Sequence, residues 1–207
     1  MEYLLPYNLA SSHVAIDLPG DKVVLIEPRK LAARPLDEAV GSAVDEILGR
    51  LKASGRLREN CKVAVAIDDH TRPTPTSPLL DKLVPILVEE YGAEVTVLFA
   101  LGTHEPPPEE YVRVKTGNRA YRLARVVIHN AYDYGFEHHV FKGVTSLGTP
   151  LWVNREFADA DVRIGVGSIF PSEIAGFTGG CKLAVSYTHL RAHETSLHLV
   201  CRLLLEK

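Results

Sequence analysis

Lys62-Val-Ala-Val-Ala-Ile-Asp68 is a continuous apolar run, rich in β-branched residues, that closes on a carboxylate. A strand wetted on one face alternates apolar and polar residues; a run with no polar residue between its ends fits a strand covered on both faces of a parallel sheet. The neighbouring sequence supports this. Upstream, Leu36, Ala39, Val40, Ala43, Val44, Ile47, Leu48 and Leu51 recur at three- and four-residue intervals, the spacing of an amphipathic helix that ends near Gly55. Its acidic side, Asp37, Glu38, Asp45 and Glu46, faces water.

Downstream, Ser77 caps a helix with Pro78 at its first position, and Leu79, Leu83, Ile86 and Leu87 continue an apolar stripe to Tyr91-Gly92, with a kink expected at Pro85. Glu94 to Leu101 reads as a second buried strand, Pro106 to Thr116 as a short helix, Arg125 to His129 as a third strand and Val162 to Ile169 as a fourth. Val140 to Val153, with Gly143, Gly148 and Pro150 between apolar pairs, reads as an inserted hairpin. Short β segments at Tyr3 to Leu5, His13 to Leu18 and Lys22 to Glu27 suggest a small sheet edge. The expected fold is α/β: a mainly parallel sheet flanked by helices, with a small β edge or hairpin insertion.

The 207 residues carry 46% hydrophobic and 24% charged side chains, the balance of a soluble globular chain with room for a core. A formal charge of -3, with no basic block, argues against a nucleic-acid or polybasic membrane surface and favours small-molecule chemistry. Cys61, Cys181 and Cys201 are odd in number and lack CxxC spacing, which fits a reducing cytoplasm. No export signal and no membrane span are expected.

In open parallel sheets ligands collect beyond the carboxyl ends of the strands, where helix N-termini present free N–H groups. Three polar loops fall at such places. Asp68-Asp-His-Thr-Arg-Pro-Thr-Pro75 brings two carboxylates, an imidazole and a guanidinium between rigid prolines, and Arg72 suits a carboxylate or phosphate. Leu101-Gly-Thr-His-Glu-Pro-Pro-Pro108 offers His104 as an acid-base group. Gly167-Ser-Ile-Phe-Pro-Ser-Glu-Ile-Ala-Gly-Phe-Thr-Gly-Gly-Cys-Lys182 ends in a glycine-rich turn carrying a lysine, without the spacing of a P-loop. His129-Asn130 ends a strand beside the same cleft, whereas His138 and His139 read as solvated residues of the hairpin.

Taken in order, Asp69-His-Thr-Arg-Pro-Thr-Pro75, Gly102-Thr-His-Glu-Pro-Pro107 and Ala175-Gly-Phe-Thr-Gly-Gly-Cys-Lys182 resemble the signature loops of the nickel-dependent lactate racemase family, over nearly all of residues 1–184. The resemblance implies a nickel-pincer nucleotide, built on a pyridinium mononucleotide, that takes a hydride from the carbinol carbon of a small 2-hydroxy acid and returns it. It further implies that His104 is a catalytic base, that Lys182 is joined to the cofactor, and that Asp69, His70, Thr71 and Arg72 contact it. No metal ligand is assigned within the chain, because the family's nickel-ligating histidine and substrate-gripping lysine belong to a further, C-terminal domain, so this chain alone is expected to be inactive.

One departure stands out: Ser172, followed by Glu173, occupies the place of the family's second catalytic histidine. Either Glu173 or another histidine serves that role, or the substrate is a different hydroxy acid with an epimerase outcome. After Ala184 the string Val185-Ser-Tyr-Thr-His-Leu-Arg-Ala-His-Glu-Thr-Ser196, running on to Lys207, resembles translated sequencing-adapter read-through, so residues 185–207 are expected to be a non-native tail. The spacing of His189, His193 and His198 around Glu194 imitates a zinc face but belongs to that tail. The competing reading is a non-catalytic domain that binds an anionic nucleotide or sugar phosphate through Arg72 and the Gly179-Gly180 turn.

Overall fold

The structure is a computed structural model and describes residues 2–6, 13–17, 34–102, 104–133, 137–146, 148–172 and 176–183. Two compact units result, residues 1–35 and 36–207. In the first, β1 (Glu2–Pro6) and β2 (His13–Asp17) form an antiparallel two-stranded sheet of their own, in register from Glu2 opposite Asp17 to Pro6 opposite His13. The third expected segment, Lys22 to Glu27, lies outside the described residues, as does the string from Val185 onward.

The second unit begins with α1 (Leu36–Ser54), whose buried face carries Val40 and Val44. Then come β3 (Lys62–Asp68), α2 (Thr76–Pro85) with a π-helical continuation over Ile86–Glu90, β4 (Glu94–Ala100), α3 (Glu109–Thr116), α4 (Asn118–Leu123) and β5 (Arg125–Ile128). A hairpin of β6 (His139–Val144) and β7 (Pro150–Asn154) leads into the one-turn α5 (Arg155–Ala158) and β8 (Val162–Val166). The short ribbon β9 (Pro171–Ser172) and β10 (Gly176–Phe177) precedes a 3-10 turn at Gly180–Leu183. The main sheet has the order β5-β4-β3-β8 and every pairing in it is parallel.

Alternation along β3 explains why both of its faces are apolar. Val63, Val65 and Ile67 point into the cluster formed with α1, α2 and the π-helical segment, through Val40, Val44, Leu80, Leu83, Val84 and Leu87. Ala64 and Ala66 face the other way, where their small side chains let Phe157 and Ala158 of α5, Val153 of β7 and Leu183 of the last turn pack close.

Differences from the sequence reading have local causes. The helix starts at Thr76, one residue before the expected Ser77 cap, with Pro75 at the cap position and no side-chain cap bond; the Thr76 hydroxyl bonds the Lys115 carbonyl at 2.6 Å and ties α2 to α3. At Pro85, the site of the expected kink, the helix changes type: proline has no N–H for the carbonyl four residues back, and the chain winds on with the wider π pattern. Ile67 is fully buried in the centre of the sheet. Its replacement by alanine should lower unfolding stability by about 2–5 kcal/mol in urea titrations, whereas Val144→Ala, at a position 62% exposed, should change it little.

Candidate active site

All four strands of the main sheet point the same way, so their carboxyl ends, and the loops that follow them, share one edge. From β3 the chain moves to β4 and β5 on one side and reaches β8 on the other. The chain connections therefore diverge above the paired strands β3 and β8, the position at which open parallel sheets bind ligands.

The loop after β3 is fixed by its own side chains. Asp69 is buried, and its Oδ1 accepts from the Thr71 backbone N–H at 2.7 Å and from the Thr71 hydroxyl at 2.5 Å, a side-chain-closed turn of the kind aspartate favours. The Arg72 N–H bonds the Asp69 carbonyl at 3.2 Å. Asp69 Oδ2 lies 2.5 Å from His104 Nδ1, across 35 residues of sequence. Burial pushes the Asp69 carboxyl up, but the two Thr71 bonds and the His104 contact together outweigh it and hold the group below the usual carboxylate range. An ionised Asp69 can only accept, so Nδ1 of His104 carries the hydrogen, and in the neutral ring Nε2 is the nitrogen with the lone pair. The His104 side chain is 44% exposed, so part of the ring is open to solvent while Asp69 stays buried.

Arg72 and Lys182 are half-buried, and neither side chain makes an ion pair or hydrogen bond among the described residues. Lys182 sits in the 3-10 turn, its N–H bonded to the Gly179 carbonyl at 3.2 Å. Two glycines place that turn. At Gly179, with φ of 69°, a Cβ would fall 2.2 Å from the Ser168 carbonyl oxygen, and at Gly167 it would fall 2.9 Å from Leu183 Cδ1. At Gly179, where the clash is with backbone, any larger residue would push the lysine-bearing turn off the end of β8.

His70 stands apart from this arrangement. Its ring meets Tyr111 edge-on with centroids 6.2 Å apart, and its buried Nδ1 has no hydrogen-bond partner among the described residues. Ser172 lies on β9, while Glu173 lies outside the described residues. The expectation for His139 is overturned. It is 2% exposed, its Nδ1 is 3.2 Å from Asp133 Oδ2, and its ring packs at 5.3 Å against His129, itself buried. His138 is exposed, as the sequence reading had it. The His138 N–H bond, against the opposing effect of burial, and the His139 contact hold the Asp133 carboxyl below the usual range. No group of three His, Cys, Asp or Glu side chains among the described residues is arranged to hold a metal ion.

Sequence reasoning missed the polar layer beneath the loops. Asp68, at the end of β3, pairs with Lys115 Nζ at 2.9 Å and accepts from the Thr74 hydroxyl. The Thr74 and Ser168 hydroxyls lie 2.7 Å apart, and the Ser168 N–H donates to Thr74 Oγ1 at 3.0 Å. Lys115 lies in no motif and reads from sequence as an ordinary basic residue near a helix C-terminus.

The class this defines is an open, parallel α/β domain with its polar loops gathered at the switch point. More narrowly, the chain belongs to the lactate racemase N-terminal domain family, whose model matches residues 9–188. Lactate racemase of Thermoanaerobacterium thermosaccharolyticum is 27% identical over 185 residues, covering 86% of this chain and 42% of the relative. That of Lactiplantibacillus plantarum is 27% identical over 187 residues, covering 82% and 43%. The chain thus spans less than half the length of these relatives. The structure of the lactate racemase apoprotein from T. thermosaccharolyticum superposes with a TM-score of 0.72 at 24% identity, over 91% of this chain and 44% of that one. A crystal structure of a Thermotoga maritima protein gives 0.61 at 24% identity, over 74% and 38%. Both share the fold.

Because Asp69 has its carboxyl lowered in the folded state, its stabilising contribution is fully present above the ordinary carboxylate pKa and is lost as pH falls through the lower folded value. Asp69→Asn should therefore shrink the stability difference between pH 7 and about pH 3 in urea titrations. An acid limb identical to wild type would show that Asp69 is not held ionised by these contacts.

Proposed function

We propose that the chain is the N-terminal part of a lactate racemase-like isomerase, a racemase or epimerase acting on a small 2-hydroxy acid, in the cytoplasm. The observation that carries this is the Asp69–His104 contact at the carboxyl edge of the sheet, in a chain of this family. Among the described residues no helix is long and apolar enough to cross a membrane.

Inverting a carbinol carbon beside a carboxylate is difficult for a side-chain base alone, because that C–H is weakly acidic. The family's implied nickel-pincer nucleotide would supply, when bound, an acceptor for the hydrogen leaving as hydride. The residues present fit such a group: Lys182 offers a half-buried amine on a glycine-framed turn, and Arg72 a guanidinium, unpaired among the described residues, suited to a phosphate or carboxylate. Thr71 acts through Asp69, and Asp69 through His104, whose Nε2 can take the substrate hydroxyl proton and give it back. Fixing the tautomer through a buried carboxylate is the same device that orients the histidine of a serine protease. His70, whose Nδ1 is unpartnered among the described residues, belongs to the same loop and faces Tyr111.

A second domain of the complete protein completes the cleft in this reading. The complete protein should be coexpressed with cofactor-synthesis enzymes and examined by intact mass and nickel analysis, with a known family member loaded in parallel. An adduct on Lys182, bound nickel and exchange of the carbinol hydrogen are expected, with His104→Ala reducing exchange by about 10²-fold or more. An unmodified, metal-free chain beside a loaded control would overturn the reading in favour of a nucleotide or sugar-phosphate binder.

A further inference from the structure

Lys115 is a cation whose side chain is only 10% exposed, paired with a carboxylate that is 8% exposed. Removing both charges from water is costly, and such a pair adds little stability over apolar residues of the same volume. Its value has to be sought in what it holds. Besides Asp68, the Lys115 ammonium donates to the Arg72 carbonyl at 2.7 Å. That carbonyl belongs to the turn whose first residue is Asp69 and whose N–H groups at Thr71 and Arg72 are bonded back to Asp69.

The connections extend to all three loops. Lys115 lies on α3, the helix entered directly from the His104 loop, and its own carbonyl is bonded by Thr76 at the start of α2. Asp68 is bonded by Thr74, which meets Ser168 in the segment leading to the Lys182 turn. A single ammonium therefore sits where the Arg72 turn, the helix behind His104 and the end of β8 converge.

We propose that Lys115 is a positioning residue of this site: anchored by Asp68, it clamps the Arg72 carbonyl and so fixes the turn that presents Asp69 to His104 and Arg72 to the ligand. The role rests on the proposed function for its chemistry, but its physical content is separate. The bond from the ammonium to the Arg72 carbonyl ties the backbone of the turn to α3, so removing the ammonium loosens the turn even when the buried charge is balanced.

The test uses amide hydrogen exchange at Thr71 and Arg72 in the chain as it stands. Asp68→Asn with Lys115→Met removes both charges together, avoiding the unpaired carboxylate that Lys115→Met alone would leave. Exchange at these two amides should quicken by about ten- to a hundredfold, while amides of β3 and β4 stay protected. Lys115→Arg, with Asp68 intact, keeps a cationic donor and should hold exchange near the wild-type rate. If the double variant keeps both amides as slow as wild type, Lys115 is a charge partner for Asp68 only and the proposal fails. If the double variant loses protection throughout the sheet, Lys115→Arg decides: loop amides as slow as wild type uphold the clamp, and selectively quickened ones overturn it. None of these readings needs cofactor or turnover. A freed loop in a protein that never handles a hydroxy acid would sink the proposed function and leave the clamp standing.

Discussion

Two adjacent carboxylates at the end of one buried strand organise this molecule. Successive side chains leave a strand in different directions, so Asp68 and Asp69 cannot serve the same partner. Asp68 turns to Lys115, Thr74 and the Ser168 segment, and Asp69 turns to Thr71 and His104. One carboxylate ties the scaffold of loops together and the other prepares a histidine. The division depends on β3 being central and fully covered. Only a strand held between two apolar clusters can bring a pair of aspartates to a buried edge in a fixed register.

Such an edge costs stability. Buried carboxylates and a buried ammonium give up hydration that their partners restore only in part. The clusters on either face of the sheet supply the offset, with Val63, Val65 and Ile67 packed against α1 and α2 and the alanines against α5 and Leu183. Packing and function meet at Leu183, which fills the alanine face while its neighbour Lys182 belongs to the ligand edge. The apolar residue fixes the position of the polar one, since the turn is too short for the two to move independently.

Much of this was legible in the sequence. The Val-Ala-Val-Ala-Ile run gave away a strand with two covered faces, and the helical spacing from Leu36 carried α1 to within a few residues of its end. The hairpin between Val140 and Val153 followed from its glycines and Pro150. What escaped is what depends on distant partners. Lys115 sits in Glu109-Glu-Tyr-Val-Arg-Val-Lys-Thr116, where charges and apolar residues alternate closely and nothing marks one cation as buried. His139 was read as solvated because hairpins are usually wet, and only the fold shows His129 and Asp133 waiting for it. Asp69 was recognised as a motif residue, but a motif names positions and not partners.

Everything at this edge turns on Asp69 fixing the neutral ring of His104 with its hydrogen on Nδ1 and its lone pair on Nε2. Nitrogen-resolved NMR of the histidine side chains, with His104 assigned by its loss in His104→Gln, measures this directly. The neutral ring should report the Nδ1–H tautomer in wild type and lose that preference in Asp69→Asn. A neutral His104 carrying its hydrogen on Nε2, indifferent to the Asp69 substitution, would contradict the account.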